Sequence, residues 1–139
     1  MDHLAILAKK RHLLAKILSG EKTIESRWYQ SRRAPYQSIV AGDTVYFKES
    51  GDPVIAKAIA SHAMFFDELD DAKIRHILRT YGDKICMSES WAPSLAGKRY
   101  CALIVLKDVQ KIEPFEVNKR GFGNMSAWIS VPTIDSIRK

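Results

Sequence analysis

Three charged residues of both signs stand close together near the start of the chain. Lys22, Glu25 and Arg27 belong to a segment, residues 20–27, that reads GEKTIESR. An ammonium group, a carboxylate and a guanidinium at this spacing could bind a phosphate or a base edge, or could transfer protons. An exposed edge strand with a surface ion pair, which contributes little stability, has the same pattern. The spacing alone leaves both interpretations open.

The neighbouring elements predict how these side chains are placed. Apolar residues repeat at helical spacing over residues 9–19, which predicts a helix that ends at the glycine after it. β-branched and aromatic residues then favour an extended chain. Because side chains alternate between the faces of a strand, we expect Glu25 and Arg27 to share a face, with Lys22 opposite unless a bulge intervenes. On that geometry Glu25 orients the Arg27 guanidinium and does not act as a nucleophile.

The rest of the chain predicts a small α+β domain. A helix with acidic residues in its first turn is expected from about residue 67 to residue 82. Residues 100–109 are apolar on both sides, so this strand should be central and covered on both faces. A turn signal at residues 50–53 joins its two flanking strands into a hairpin. The segments with the residue pattern of strands are 3–7, 44–49, 54–61, 100–109 and 128–131.

Length and composition narrow the class of protein. A chain of 139 residues is expected to form one domain, residues 1–139, with a single core. No apolar run approaches a membrane span and the N-terminus lacks a signal-peptide pattern, so we expect a cytoplasmic protein without membrane contact. Cys86 and Cys101 lack the paired spacing of a zinc site, so we expect both to be reduced, with no metal and no cofactor.

The charge of the chain favours a polyanionic partner. The net charge is +6 and the isoelectric point is about 9.4, and nucleic acid is the commonest partner of such an excess. Cations beside aromatic rings suit single-stranded or extruded bases. Residues 119–124 are expected to form a glycine-rich loop that also combines cations with an aromatic ring. An ordinary solvated hairpin loop could have the same residues. The predicted nucleic-acid-binding residues are Lys22, Glu25, Arg27, Trp28, Arg32, Arg33, Lys119, Arg120 and Phe122.

Two segments resemble a known family. The pattern Gly20-x-Lys22-x-x-Glu25-x-Arg27 after a short helix is similar to the signature of the activating-signal-cointegrator homology (ASCH) domain, a family of the PUA-like superfamily. Gly42 and the apolar strand after its following aspartate resemble the family's second element. The resemblance covers residues 3–62 and extends less closely to about residue 130. It implies a mostly antiparallel β-barrel of five or six strands with two main helices, and a cleft between barrel and helices that is lined by the motif.

The resemblance implies more than one class of function. The first is an RNA- or nucleotide-binding module, and the second is a small enzyme acting on RNA or a modified nucleoside. A ribonuclease would use Lys22 and Glu25 as acid and base, which requires one pKa to be moved toward neutrality. The acetylcytidine amidohydrolases of the superfamily have a threonine where Glu25 stands and a glutamate in the later helix, where residues 75–78 read RHIL. A protein-interaction domain with a basic face is a third class, and the ligand and oligomeric state stay open.

Overall fold

Six strands form one sheet in the computed structural model, which describes residues 1–123 and 126–139. The strands are β1 (Asp2–Leu7), β2 (Ile24–Tyr29), β3 (Thr44–Glu49), β4 (Val54–Phe66), β5 (Tyr100–Phe115) and β6 (Trp128–Val131). Their order across the sheet is β2-β5-β4-β3-β1-β6. Strands β1 and β3 run parallel, and the other neighbouring pairs are antiparallel. The predicted α+β fold, a mostly antiparallel barrel of five or six strands with two main helices, is confirmed. The six strands form a curled half-barrel.

Two α-helices of the described ranges connect and cover the strands, and both differ from their predicted bounds. The expected helix over residues 9–19 is a 3₁₀ turn, Lys9–Arg11, followed by α1 (Leu13–Ser19). His12 separates the two segments because its φ of 55° is left-handed. The second helix, α2 (Asp71–Ile85), starts after its cap Asp70, whose side chain accepts a hydrogen bond from the Lys73 N–H at 2.8 Å.

Helix α2 continues past the glycine at which the sequence predicted its end. Gly82 is helical, and the chain turns back only at Cys86, which has a left-handed φ of 61°. A Cβ atom on Gly82 would lie 2.6 Å from the carbonyl oxygen of Met87. The glycine therefore lets the chain beyond α2 pack against the helix, and it does not terminate the helix.

The predicted hairpin is formed by β3 and β4, which pair antiparallel. Strands β4 and β5 are longer than predicted and are irregularly paired. Their register shifts between Val54 and Ala56, between Lys57 and Ile59, and between Ala60 and His62. Such bulges bend a strand and raise its twist, which allows long strands to follow a curled sheet. The strand that is expected to be covered on both faces is β5. This prediction is confirmed for residues 101–106, whereas Lys107 and Asp108 are exposed.

The two faces of β5 border different parts of the core. Ala102 and Ile104 point into the interior of the half-barrel with Phe47, whereas Leu103 packs with the apolar side of α2. The candidate site lies beside this second layer, where α2, a 3₁₀ helix (Glu89–Leu95) and the edge strand β2 meet. No helix within the two described ranges is long and apolar enough to cross a bilayer.

Candidate functional site

Lys22 is a buried cation that joins the charged motif to α2. Its Nζ atom donates hydrogen bonds to the carbonyl oxygens of Ile24 at 3.0 Å and Ile85 at 3.1 Å. It also lies 3.3 Å from Glu25 Oε1. Each N–H of the ammonium group therefore has an acceptor. Lys22 precedes the first residue of β2, so strand alternation does not apply to it, and it reaches the same side as Glu25 instead of the opposite side.

Glu25 lies between the two cations of the motif. Its Oε1 atom also accepts the Ser26 N–H at 2.9 Å, and its Oε2 atom accepts Arg27 Nη2 at 3.4 Å. Burial by itself raises the pKa of this carboxyl group, but Lys22, Arg27 and the Ser26 N–H together bring the pKa below its ordinary value. Glu25 therefore stays ionised at neutral pH and orients Arg27, as the face-sharing argument predicts.

Arg27 bridges the two ends of the sheet. Strands β2 and β6 lie at opposite ends of the strand order, yet Arg27 Nη1 donates to the carbonyl oxygen of Ala127 at 3.2 Å. Its Nη2 atom donates to the carbonyl oxygen of Ile6, on β1, at 3.3 Å. The guanidinium carbon also lies 5.3 Å from the centroid of the Trp128 ring. One planar cation thus spans the gap that the curled sheet leaves open, with 12% of its side chain exposed.

A cleft of about 370 Å³ opens beside this bridge. The charged motif forms its polar wall, and the indole of Trp28 is fixed there because its Nε1–H donates to Ser26 Oγ at 3.1 Å. The Ser26 hydroxyl in turn lies 3.5 Å from Met87 Sδ. Cationic, aromatic and apolar side chains thus share one concave surface, as is typical of sites for small organic ligands. Its lining includes Lys22, Glu25, Arg27, Trp28, Tyr29, Arg11, Trp91, Lys98, Met87 and Leu95.

Two cleft residues, Arg11 and Trp91, were missed as candidate site residues. The guanidinium carbon of Arg11 lies 4.2 Å from the centroid of the Trp91 ring. Its Nη2 atom donates to the carbonyl oxygen of Cys86 at 3.1 Å. The stacked cation is thereby held in the lining of the cleft. Three consecutive basic residues, Lys9, Lys10 and Arg11, were a local signal in the sequence. Trp91 stacks on Arg11 through the packing of a 3₁₀ helix that has no regular apolar period.

Solved structures of a bacterial protein are similar to this chain over nearly its whole length. The ASCH protein from Zymomonas mobilis superposes with a TM-score of 0.70 at 18% identity, covering 99% of this chain and 96% of that chain. A tyrosine-to-phenylalanine mutant of that protein gives a TM-score of 0.71 at 19% identity, covering 97% and 93%. This chain has the ASCH domain fold. The ASCH fold expected from the sequence is therefore confirmed.

No protein-family model matches the chain, and no curated protein matches its sequence. A second variant of the Zymomonas mobilis ASCH protein, with serine changed to alanine, superposes at a TM-score of 0.71 and 20% identity, covering 97% of this chain and 91% of that chain. At such identities the comparison establishes the ASCH fold, and the role of the cleft has to be argued from its own residues.

Two further predicted residues lie near the cleft of this ASCH fold. Arg33 places its guanidinium carbon 5.3 Å from the centroid of the Tyr29 ring. Both residues line a cavity of about 270 Å³ that shares Tyr29 and Ala127 with the cleft. Arg32 lies beside another ring, with its guanidinium carbon 5.6 Å from the centroid of Tyr100. The basic loop after β2 thus continues the cationic surface beyond the cleft.

The later basic loop lies elsewhere on the ASCH fold. Arg120 and Phe122 line a separate cavity of about 470 Å³ together with Arg138, and this cavity shares no lining residue with the cleft. Lys119 is half-buried next to Arg120. The loop was predicted to extend to residue 124, which lies outside the described residues. The predicted binding residues therefore fall on two surfaces, and their contact with a ligand stays a prediction.

The cysteines and acidic residues show no arrangement that would hold a metal ion in the part of the chain that the structure describes. Cys101 is buried on β5, where desolvation raises the pKa of its thiol. Cys86 is half-buried at the end of α2, with its Sγ atom 3.8 Å from the carbonyl oxygen of Glu21.

Proposed function

We propose that this chain binds RNA, or single nucleotides, in the cleft beside the charged motif. One observation carries the proposal: the Arg27 guanidinium is held by the buried carboxylate of Glu25 at 3.4 Å, in a cleft that also contains Trp28 and Trp91. A pre-oriented guanidinium recognises a phosphate or a base edge with little loss of side-chain entropy. The adjacent rings can stack on a base, which is worth about 1–3 kcal/mol per base.

In this proposal Lys22 and Glu25 do not contact the ligand but hold Arg27 in position. Their side chains are 1% and 3% exposed, and each is already bonded to the other and to the backbone. They hold Arg27 in place, and they leave ligand contact to the groups at the surface of the cleft. Arg11 and Lys98 supply further positive charge there, which would attract the phosphates of a bound strand.

The alternative function is a small enzyme that uses Lys22 and Glu25 as acid and base. Such a pair needs at least one group whose pKa lies near neutrality. The pKa of Glu25 is lowered by its cationic neighbours, which makes its carboxyl a poor proton donor at neutral pH. Lys22 would have to break hydrogen bonds to two backbone carbonyls before it met a substrate. Binding without turnover is therefore the function that this geometry favours.

The proposal is tested by titrating a fluorescently labelled single-stranded RNA pool and measuring anisotropy at two salt concentrations. If about three phosphates are neutralised, the affinity should fall roughly 20-fold between about 50 and about 200 mM salt. Arg27→Ala should weaken binding strongly, whereas Arg79→Ala, which removes an exposed arginine outside the cleft, should not. An RNA affinity that does not change with salt concentration, or an equal loss of affinity in Arg27→Ala and Arg79→Ala, would exclude the cleft as the binding site.

A further inference from the structure

A second cluster of polar side chains lies within the half-barrel and is not part of the cleft. His3 is fully buried on β1. Its Nε2 atom lies 2.8 Å from Asp43 Oδ2, and its Nδ1 atom lies 2.8 Å from Ser130 Oγ. The cross-strand register places His3 directly opposite Ser130 on β6, and Asp43 immediately precedes β3. Three separate segments thus contribute a hydroxyl, an imidazole and a carboxylate to one chain of hydrogen bonds.

The neighbours of His3 determine which ring nitrogen carries the proton. The Trp128 Nε1–H, which can only donate, points at His3 Nδ1 at 3.2 Å. Nδ1 must therefore accept, so the neutral ring carries its proton on Nε2 and donates it to Asp43. The Ser130 hydroxyl then donates to the same lone pair of Nδ1, which it shares with the Trp128 N–H. This is the polarity that a histidine needs in order to take a proton from a serine nucleophile.

Asp43 is itself held in place for this role. Its Oδ2 atom accepts the Val40 N–H at 3.1 Å, and its Oδ1 atom lies 3.4 Å from the terminal ammonium group of Met1. Burial raises the pKa of the Asp43 carboxyl, but the hydrogen bonds from His3 and Val40 and the nearby ammonium bring it below its ordinary value. An ionised carboxylate thus fixes the ring and stabilises the imidazolium that would form during a reaction.

Ser130 also borders a cavity that could admit a substrate. It lines the space of about 470 Å³ that contains Arg120, Arg138 and Phe122. Two guanidinium groups favour a ligand that carries a carboxylate or a phosphate, and Phe122 is 37% exposed and offers an apolar contact. We propose that Ser130, His3 and Asp43 form a hydrolytic site for carboxylic esters that carry a negative charge.

The proposed reaction has two steps. In the first, Ser130 Oγ bonds to the ester carbonyl carbon while its proton passes to His3 Nδ1, and the bond to the leaving oxygen breaks as that oxygen takes the proton from Nδ1. In the second, water attacks the acyl carbon and gives its proton to Nδ1, and Ser130 leaves with that proton restored. The products are an alcohol and a carboxylic acid. The Trp128 N–H points at Nδ1 and therefore destabilises the imidazolium form of His3, which slows both steps.

The reaction is tested with a fluorophosphonate probe and with two chromogenic esters, 4-nitrophenyl acetate and the anionic mono-4-nitrophenyl succinate. We expect the probe to label Ser130, as located by peptide mass spectrometry, and the succinate ester to be hydrolysed with the lower KM. Ser130→Ala should lose at least 10-fold in rate. Ser136→Ala is the matched control, because Ser136 lines the same cavity but its hydroxyl donates to the Thr133 carbonyl oxygen, at 2.7 Å. Labelling elsewhere, or equal rates in wild type and Ser130→Ala, would refute the site.

A thiol replacement gives a readout that does not depend on turnover. In Ser130→Cys, an adjacent basic histidine should make the new thiol react with iodoacetamide at least 10-fold faster at neutral pH than the new thiol of Ser136→Cys. Adding Asp43→Asn should remove most of that difference, provided that circular dichroism shows a folded protein. Equal alkylation rates at the two positions would show that His3 does not activate residue 130. RNA binding should be unaffected by Ser130→Ala, so this proposal and the proposed function can fail independently.

Discussion

The Nζ atom of Lys22 lies 3.3 Å from Oε1 of Glu25, and both side chains are almost completely withdrawn from solvent. The same ammonium group bonds to the carbonyl oxygen of Ile85 in the last turn of α2. A positive charge at a helix C-terminus interacts favourably with the unpaired carbonyls there. One lysine thus ties the helix layer to the edge strand β2 and supplies the charge that keeps Glu25 ionised.

The first prediction concerns this buried lysine. Lys22→Met should lower the free energy of unfolding by about 3–5 kcal/mol, because it leaves the Glu25 carboxylate and two carbonyl oxygens without their partner. The measurement is urea denaturation followed by circular dichroism. Lys16→Met is the control, since Lys16 is half-exposed and lies 3.8 Å from Glu21, and its loss should cost at most about 1 kcal/mol. Equal costs for the two variants would contradict the structural role of Lys22.

The second prediction is a pH dependence that originates from Glu25. The unfolded chain takes up this proton near the ordinary pKa of 4.5, whereas the folded chain takes it up at lower pH. The stability that Glu25 provides is therefore complete above its ordinary pKa and is lost as the pH falls through the lowered value.

A comparison with Glu25→Gln isolates this contribution, because all other titrating groups are common to both proteins. Wild type should be more stable by about 3 kcal/mol at about pH 7, and the gap should narrow as the pH falls toward about 3. Urea midpoints across this range provide the measurement. A gap that stays constant with pH would mean that the carboxylate is not stabilised by its two cationic neighbours.

The strands could be predicted because their signal is local. Apolar runs predicted five of the six described strands, and β-branched and aromatic residues predicted β2. Strands β4 and β5, whose pairing contains bulges, were underestimated most. The end of α2 was wrongly predicted at Gly82, and the reason lies in the tertiary packing. Gly82 has no Cβ atom, which leaves room for the carbonyl oxygen of Met87. A glycine that makes room for a neighbour and a glycine that ends a helix look the same in a sequence.

The candidate site was predictable only in part, because its geometry depends on distant backbone atoms. The motif correctly placed Glu25 beside Arg27, since both lie on one strand face. The burial of Lys22 depends on the carbonyl of Ile85, 63 positions away along the chain. The stacking of Arg11 on Trp91 depends on how a 3₁₀ helix packs. Neither contact leaves a periodic pattern in the sequence.

The third prediction tests that stacked pair. Arg11→Gln should weaken RNA binding and make the salt dependence shallower by roughly 0.7 in the logarithmic slope, which corresponds to one phosphate contact on a single strand. The measurement is RNA anisotropy at several salt concentrations. Arg79→Gln makes the same change in charge at an exposed position outside the cleft and should leave the slope unchanged. An unaltered slope in Arg11→Gln would show that Arg11 does not meet the RNA backbone.

The fourth prediction separates the two basic surfaces. Arg33 borders a cavity that adjoins the cleft, whereas Arg120 borders one that shares no residue with it. Arg33→Gln should therefore weaken the binding of RNA of about 4 nucleotides and of about 16 nucleotides, which span the usual range of site sizes. Arg120→Gln should weaken only the longer RNA. Competition titrations with both lengths provide the measurement, and loss of the short RNA in Arg120→Gln would place the binding site on the later loop.

The last prediction concerns Trp128, which contacts both proposed sites. Its ring lies 5.3 Å from the Arg27 guanidinium carbon, and its Nε1–H points at His3 Nδ1 at 3.2 Å. Trp128→Phe keeps an aromatic face for Arg27 but removes the N–H donor, at a cost of about 1–3 kcal/mol from the smaller ring and the lost hydrogen bond.

The variant should therefore separate the two activities. Without the competing donor, His3 Nδ1 is a better base, so the fluorophosphonate probe should label Ser130 several-fold faster than in wild type. RNA affinity should change little, because the aromatic face beside Arg27 remains. Labelling rates and RNA titrations on the same protein preparation, with urea denaturation to confirm the fold, provide the measurement. Slower labelling in a folded variant would mean that the indole N–H orients His3 for reaction. The claim that this N–H lowers the basicity of His3 Nδ1 would then be wrong.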